Sequence, residues 1–166
     1  MIVIGFSRGN SWLSAAIRWF TDSEWSHCWV EYPSHVWGGR WIAHAADRGV
    51  IKEPAEPKIR RWEPDLARYE AICDLSMGFE AARGCVGKRY DWLSIAGHAL
   101  RLLAHKVTGG WFGNPHRDAA RLTCSEFVAI ILQEARVPGT DFWDVESIAP
   151  GDVHRLCEGS DLFRKL

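Results

Sequence analysis

The sequence lacks the features that would assign it to several large protein classes. Its longest unbroken apolar run, residues 127–132, is far shorter than the roughly 20 residues that span a bilayer. The first ten residues, MIVIGFSRGN, have no basic residue before the apolar stretch, so they do not resemble a secretory signal. We therefore expect no transmembrane segment, synthesis in the cytoplasm without a signal peptide, and export, if any, by another route.

The chain also lacks an excess of charge and any regular arrangement of cysteines. Lys and Arg number 20 and Asp and Glu number 21, which leaves a formal charge of -1 and no electrostatic drive towards nucleic acid. The five cysteines are an odd number, and no two of them form a CxxC pair. We expect a reducing compartment of synthesis, no disulfide framework, no metal, no cofactor and no nucleic-acid partner.

The composition is that of an ordinary globular protein. Of the 166 residues, 47% are hydrophobic and 25% are charged, and no repeat or long linker divides the sequence. This predicts one domain over residues 1–166. The ten tryptophans have three readings that the sequence leaves open, because Trp packs in cores, stacks on sugars and lies at lipid interfaces.

The hydrophobic periodicity predicts an α+β fold in which an antiparallel sheet packs against helices. Strands are expected at residues 1–6, 26–32, 49–53 and 68–75, and a hairpin at 35–46 with the two-residue turn Gly38-Gly39. Pro54 and Pro57 are expected to interrupt regular structure. The helix predicted at 11–21 has a stripe typical of a core-facing helix: Trp12, Ala15, Ala16, Trp19 and Phe20.

Helices follow the strands in the second half of the chain. One is predicted from Ser76 to Val86, and another begins at Asp91. Six apolar residues of the second share a face: Trp92, Ile95, Ala96, Ala99, Leu102 and Leu103. Residues 108–118, TGGWFGNPHRD, are expected to form a long Gly-rich loop.

The best-defined helix signal places a cysteine at a helix start. Thr123 and Glu126 match the T-x-x-E capping box ahead of an apolar stripe, so Cys124 is predicted at the first helical position. The backbone N–H groups and the dipole there stabilise a thiolate. A small buried hydrophobe is the alternative role for such a cysteine, and a nearby base distinguishes the two.

Two histidines on neighbouring predicted strands are the candidate partners of that cysteine. His27 can act as the base, and His44 can be the group that fixes its tautomer. Strict alternation puts Cys28 on the opposite face of the strand from His27, so we expect Cys28 to lie away from the site. The other five histidines are expected to be structural or exposed: His35, His98, His105, His116 and His154.

Five short motifs, taken in order, resemble a known family. They are SHCWV at 26–30, WIAHAADRGV at 41–50, GKRYDW at 87–92, TCSEFV at 123–128 and APGDV at 149–153. The order resembles the circularly permuted, NlpC-type papain-like cysteine peptidases and amidases, a branch that includes the lecithin:retinol acyltransferase-like proteins. The resemblance implies a papain-like fold with Cys124 as nucleophile, His27 as base, His44 as the third polar residue and Tyr90 near the oxyanion.

The function that this resemblance implies is cleavage of an amide, with a peptide bond of peptidoglycan as the first substrate. Two alternatives stay open: hydrolysis or transfer of a lipid acyl group, and a non-catalytic module that binds peptide, glycan or lipid. A wall hydrolase without a signal peptide leaves delivery by a phage tail, a secretion system or cell lysis as routes.

Two other site types are weaker readings of the same sequence. GFSRG at 5–9 matches the G-x-S-x-G elbow, but only four residues precede it, too few for the strands that an α/β-hydrolase needs; Ser7 is interpreted as a turn residue. Zinc binding by His27, His35 or His44 lacks the short ligand spacings of zinc sites.

Overall fold

A computed structural model describes residues 1–93, 95, 97, 100, 104, 107–110 and 120–166. Within these residues the fold is α+β, with one six-stranded antiparallel sheet in the order β4–β3–β2–β1–β5–β8. Its strands are β1 (Ile2–Ser7), β2 (His27–Pro33), β3 (Arg40–Ala46), β4 (Gly49–Pro54), β5 (Leu66–Ala71) and β8 (Phe163–Lys165). Two short strands, β6 (Arg89–Tyr90) and β7 (Arg121–Leu122), pair in parallel as a second sheet.

Five helices lie in the described part of the chain. They are α1 (Trp12–Thr21), α2 (Ala55–Trp62), α3 (Ser76–Arg83), α4 (Cys124–Glu134) and α5 (Pro150–Gly159). The α+β prediction with an antiparallel sheet and helices is confirmed at this level. The helix predicted to begin at Asp91 is helical at its described residues Trp92, Leu93 and Ile95, whereas most of its predicted apolar face and most of the loop at 108–118 lie outside the described residues.

The main core lies between the sheet and α4. Phe6 and Val30 on the sheet and Phe127 and Ile131 on the helix are almost fully buried in one cluster. Helix α3 crosses α4 so closely that a Cβ on Gly78 would lie 1.9 Å from the carbonyl oxygen of Ile131. Glycine is required there because any side chain would separate the two helices.

The opposite face of the sheet is covered by α2, which the sequence analysis missed. Trp29 and Ile42 on the sheet pack there with Ala55 and with the partly buried Trp62. Pro54 ends β4, as the pattern predicts, but the expectation that Pro57 also interrupts regular structure is wrong. Pro57 is the third residue of α2, within the first turn, where a helix needs no backbone N–H donor.

Two further predictions are corrected. Strands β2 and β3 pair from Pro33↔Arg40, so residues 34–39 form a six-residue connection and not a two-residue turn. Helix α1 has no buried residue, and Trp12 is 82% exposed, so its apolar stripe does not face the core. Three residues of the stripe, Trp12, Ala16 and Phe20, line a cavity instead, described below, and helical periodicity alone does not distinguish these two surroundings.

Candidate active site

The start of α4 is fixed by the predicted capping box. Thr123 Oγ1 accepts a hydrogen bond from the Glu126 N–H at 3.3 Å, and Glu126 Oε2 accepts one from the Thr123 N–H at 2.8 Å. Ser125 Oγ donates to the carbonyl oxygen of Ile148 at 2.7 Å. These bonds hold Cys124 at the first position of the helix, beside the N–H groups of the first turn and the positive end of the dipole.

Cys124 contacts two residues at the beginning of β2. The Cys28 thiol hydrogen-bonds to it, His27 contributes both its charge and a hydrogen bond, and the Cys28 backbone N–H adds a further bond. Together, the Cys28 bond first, they lower the pKa of Cys124 well below the ordinary thiol value, although burial opposes this. Cys124 is only 4% exposed. The surroundings therefore stabilise a thiolate inside the protein.

A chain of hydrogen bonds extends from His27 across the sheet. His27 Nε2 lies 2.8 Å from His44 Nδ1, and His44 Nε2 lies 2.7 Å from Glu53 Oε1. Lys58 Nζ, on α2, approaches the same carboxylate oxygen at 2.9 Å. Four side chains from β2, β3, β4 and α2 thus form one polar line behind Cys124.

Electrostatic interactions keep His44, in the middle of this line, neutral and Glu53, near its end, ionised. Burial, followed by the charge of His27, lowers the pKa of His44 to about 4, against the opposing effect of Glu53. Burial of Glu53 alone would raise its pKa, but hydrogen bonds from Lys58 and His44 outweigh this and lower it. Near neutral pH a neutral imidazole therefore lies beside an ionised carboxylate.

These charges determine the tautomers of both rings. The Glu53 carboxylate only accepts hydrogen bonds, so His44 Nε2 carries the proton and its Nδ1 is a free acceptor. His27 must then donate through Nε2, which leaves its Nδ1 as the ring nitrogen that can exchange a proton with Cys124. The unprotonated nitrogen of the neutral His27 ring therefore faces Cys124.

Tyr90 lies on the other side of Cys124, although 33 residues separate them in the sequence. The pairing Tyr90↔Leu122 in the small parallel sheet brings it to the residue two positions before Cys124. Burial, and then the negative charge of Cys124, raise the pKa of Tyr90 well above its usual value. The phenol stays protonated and hydrogen-bonds to Cys124, as expected for a donor near an oxyanion.

An aromatic wall supports His27. Its ring stacks on Trp29, with ring centroids 6.2 Å apart and planes at 28°, and the Trp62 ring lies 5.6 Å away. Trp29 in turn fills the space beside Gly5, where a Cβ would lie 2.1 Å from the indole. Glycine at this position is therefore needed for the Trp29 ring to pack where it contacts His27.

A largely apolar cavity of about 270 Å³ opens onto Cys124. Helix α1 supplies its aliphatic and aromatic face, with Phe20 from the predicted stripe and with Leu13 and Ile17 from outside it. Ile148 contributes from the loop before α5. Among the described residues that line the cavity, none is Asp, Glu, Lys or Arg. The space beside Cys124 is therefore suited to an uncharged, apolar group.

The structure brings together all four predicted site residues, Cys124, His27, His44 and Tyr90. The expectation that Cys28 lies away from the site is wrong. Cys28 faces the core cluster that contains Cys124, since α4 packs on that side, whereas His27 stacks on Trp29 on the other side. His27 begins β2 at the end of the sheet where α4 also begins, so both neighbours contact Cys124.

Sequence reasoning missed Glu53 and Lys58. Glu53 lies opposite Ile42 in the β3–β4 register, diagonal to His44 and on the same face. An acidic residue at that position of a predicted strand was the available signal. Lys58 could not be found, because it lies on α2, which the prolines concealed.

The remaining candidates have other environments. His154 hydrogen-bonds to the Tyr69 hydroxyl at 3.0 Å and is structural, and His35 is exposed. His98, His105 and His116 lie outside the described residues. Ser7 is not in a turn: it is the buried last residue of β1.

The described residues also bear on metal binding and on membrane-spanning helices. Over the described residues, no group of three or more His, Cys, Asp or Glu side chains is arranged to hold a metal ion. Nor does any helix in this part of the chain combine the length and apolarity needed to cross a membrane.

Comparisons with known proteins found no match in two cases: no model of a protein family matches the chain, and no curated protein matches it either.

Proposed function

We propose that the protein is a cysteine hydrolase that cleaves an amide or ester through a thioester formed on Cys124. The observation that carries the proposal is the continuous line of contacts from Cys124 through His27 and His44 to Glu53. A nucleophile, a base and a group that orients the base are the three parts of a covalent acyl-transfer site.

The papain-like architecture of the permuted NlpC type belongs to the same proposal. Its support is the order of the parts along the chain: His27 and His44 on adjacent antiparallel strands, then Cys124 at the start of a helix packed on that sheet. The sequence motifs around these three residues run in the order of that family.

In the first half of the reaction, the Cys124 thiolate attacks the carbonyl carbon and a carbon–sulfur bond forms. The negative oxygen of the tetrahedral intermediate takes hydrogen bonds from the Cys124 N–H and the Tyr90 hydroxyl. His27, now an imidazolium stabilised through His44, gives its proton to the leaving amine or alcohol. The carbon–heteroatom bond breaks, and the acyl group remains on sulfur as a thioester.

In the second half, water replaces the leaving group. His27 takes a proton from the water molecule as it attacks the thioester carbon, and the same donors hold the second oxyanion. Collapse of the intermediate breaks the carbon–sulfur bond, and the free acid leaves as the Cys124 thiolate is restored. An alcohol or amine in place of water would make the reaction an acyl transfer.

The cavity favours an acyl chain as the group transferred to Cys124. A chain placed against Leu13, Ile17 and Phe20 leaves water without burying any polar group, which favours binding by roughly 0.8 kcal/mol per methylene. A peptidoglycan stem peptide carries charged groups, and the described lining of this cavity offers them no charged partner. Charged side chains line the adjoining cavity at His27 and His44, among them Arg8, Lys58 and Arg61. Acyl esters and amides are thus our first substrate class, and the peptidoglycan amide implied by the sequence resemblance is the second.

A panel of substrates tests this proposal. Purified protein is incubated with esters and amides of increasing acyl length and, separately, with muropeptides, and Cys124→Ala is the matched control. We expect kcat/KM to rise about fourfold per methylene until the cavity is full, and an acyl adduct to appear by mass spectrometry on Cys124 only.

Other results would change the proposed substrate class or contradict the proposed hydrolase activity. Turnover of muropeptides alone would select the peptidoglycan amide. Binding of either class without turnover or adduct would contradict the hydrolase and support a non-catalytic binding module.

A further inference from the structure

Cys28 is a second thiol in direct contact with the nucleophile, and the reaction above does not need it to carry out any step. It is fully buried on β2 and belongs to the same apolar cluster as Cys124. Its thiol and its backbone N–H both hydrogen-bond to the Cys124 sulfur. These contacts, within one buried cluster, place the Cys28 thiol next to the Cys124 sulfur.

The other three cysteines are not placed in this way. All five cysteines are free thiols in the structure. Cys85 and Cys157 are buried, and the interactions that perturb the Cys124 sulfur come from Cys28 and His27, not from them. Cys28 is thus the thiol positioned to react with a modified Cys124.

We propose that Cys28 and Cys124 form a peroxide-sensitive pair, in which oxidation of the nucleophile is captured as a disulfide between them. The inference uses the contact between Cys28 and Cys124 and the position of Cys124 on the cavity, and it holds whichever bond the enzyme cleaves. Its test detects a covalent product and does not depend on turnover of a substrate. The pair can therefore be disproved while the hydrolase proposal is supported, and the hydrolase proposal can be disproved while the pair is supported.

The chemistry balances with a hydroperoxide as the oxidant. The Cys124 thiolate attacks one peroxide oxygen, the O–O bond breaks, and Cys124 becomes a sulfenic acid as the peroxide is reduced to an alcohol or water. The Cys28 thiol then attacks the Cys124 sulfur, the S–O bond breaks, and water leaves with the Cys28 proton. Each disulfide removes two hydrogen atoms from the protein, and two thiols of an added reductant reverse it.

The cavity provides access for a small oxidant. Cys124 is nearly buried, but it forms part of the cavity lining, whereas Cys28 does not appear in that lining. Peroxide therefore reaches Cys124 first, and Cys28 acts afterwards as the resolving thiol. Without Cys28 the sulfenic acid would persist and oxidise to the sulfinic acid, which ordinary thiol reductants do not restore.

Peptide mapping tests the proposal directly. Folded protein is treated briefly with hydrogen peroxide, its remaining thiols are blocked, and trypsin is added without reductant. We expect a cross-linked pair of peptides, residues 19–40 and 122–136, whose mass is lower than their sum by two hydrogens. Dithiothreitol should separate the pair and restore iodoacetamide labelling of Cys124.

Variants distinguish a paired thiol from a merely adjacent one. Cys28→Ala should show Cys124 as sulfinic acid after the same treatment, with labelling not restored by dithiothreitol. The matched control Cys85→Ala removes another buried thiol and should behave like the wild type. A wild-type Cys124 that oxidises to sulfinic acid with no cross-linked peptide would overturn the proposal, whether or not Cys28→Ala folds.

Discussion

Burial of a neutral His44 should make the protein sensitive to mild acid. The pKa of His44 is lowered from 6.5 to about 4, so between these values the unfolded chain binds a proton that the folded protein excludes. The free energy of unfolding therefore falls as the pH drops through this window. The shift of 2.5 units corresponds to about 3 kcal/mol lost between pH 7 and pH 4.

Urea unfolding of the wild type and His44→Gln, followed by tryptophan fluorescence, measures this loss. Glutamine can still donate to Glu53 and accept from His27, but it does not titrate. The wild type should lose about 3 kcal/mol more than His44→Gln on going from pH 7 to pH 4, since the other acid-sensitive groups are common to both. Equal losses would mean that His44 is not held neutral, and the tautomer argument for His27 would fail with it.

Two further substitutions test the support around the base. Glu53→Leu removes the acceptor that orients His44 and should slow alkylation of Cys124 at about pH 6 by roughly tenfold, with Glu53→Gln partly restoring the rate; equal rates in all three proteins would exclude an orienting role. Gly5→Ala places a methyl group against the Trp29 indole and should lower the free energy of unfolding by about 1–3 kcal/mol in urea titrations; no loss would show that the aromatic wall is not tightly packed.

The parts of the site that depend on local sequence could be predicted. The capping box of Thr123 and Glu126 is complete within four residues, so it placed Cys124 at the helix start without any knowledge of the fold. Strand positions for His27 and His44 followed from hydrophobic patterns, and the structure joins the two rings at 2.8 Å.

The parts that depend on packing could not be predicted in this way. Strict alternation correctly predicted that His27 and Cys28 lie on opposite faces of β2. It does not indicate on which face α4 packs, and so the expectation that Cys28 lies away from Cys124 was wrong. Helix α1 has an amphipathic sequence whether its apolar side meets a core or a cavity. The position of Glu53 near His44 depends on the register between β3 and β4. The position of both residues relative to His27 depends also on the connection at 34–39, which sets the register between β2 and β3.

Brief alkylation with iodoacetamide at about pH 6 tests the central claim most directly, since it reports the Cys124 thiolate without any knowledge of the substrate. The usual thiol pKa is roughly 8.5, so an ordinary cysteine is almost entirely protonated and unreactive at this pH. We expect peptide mapping to find Cys124 modified ahead of the other four cysteines, and His27→Ala to slow its modification. Labelling of Cys28 ahead of Cys124, or a Cys124 rate that follows the pH profile of a free thiol, would contradict the account.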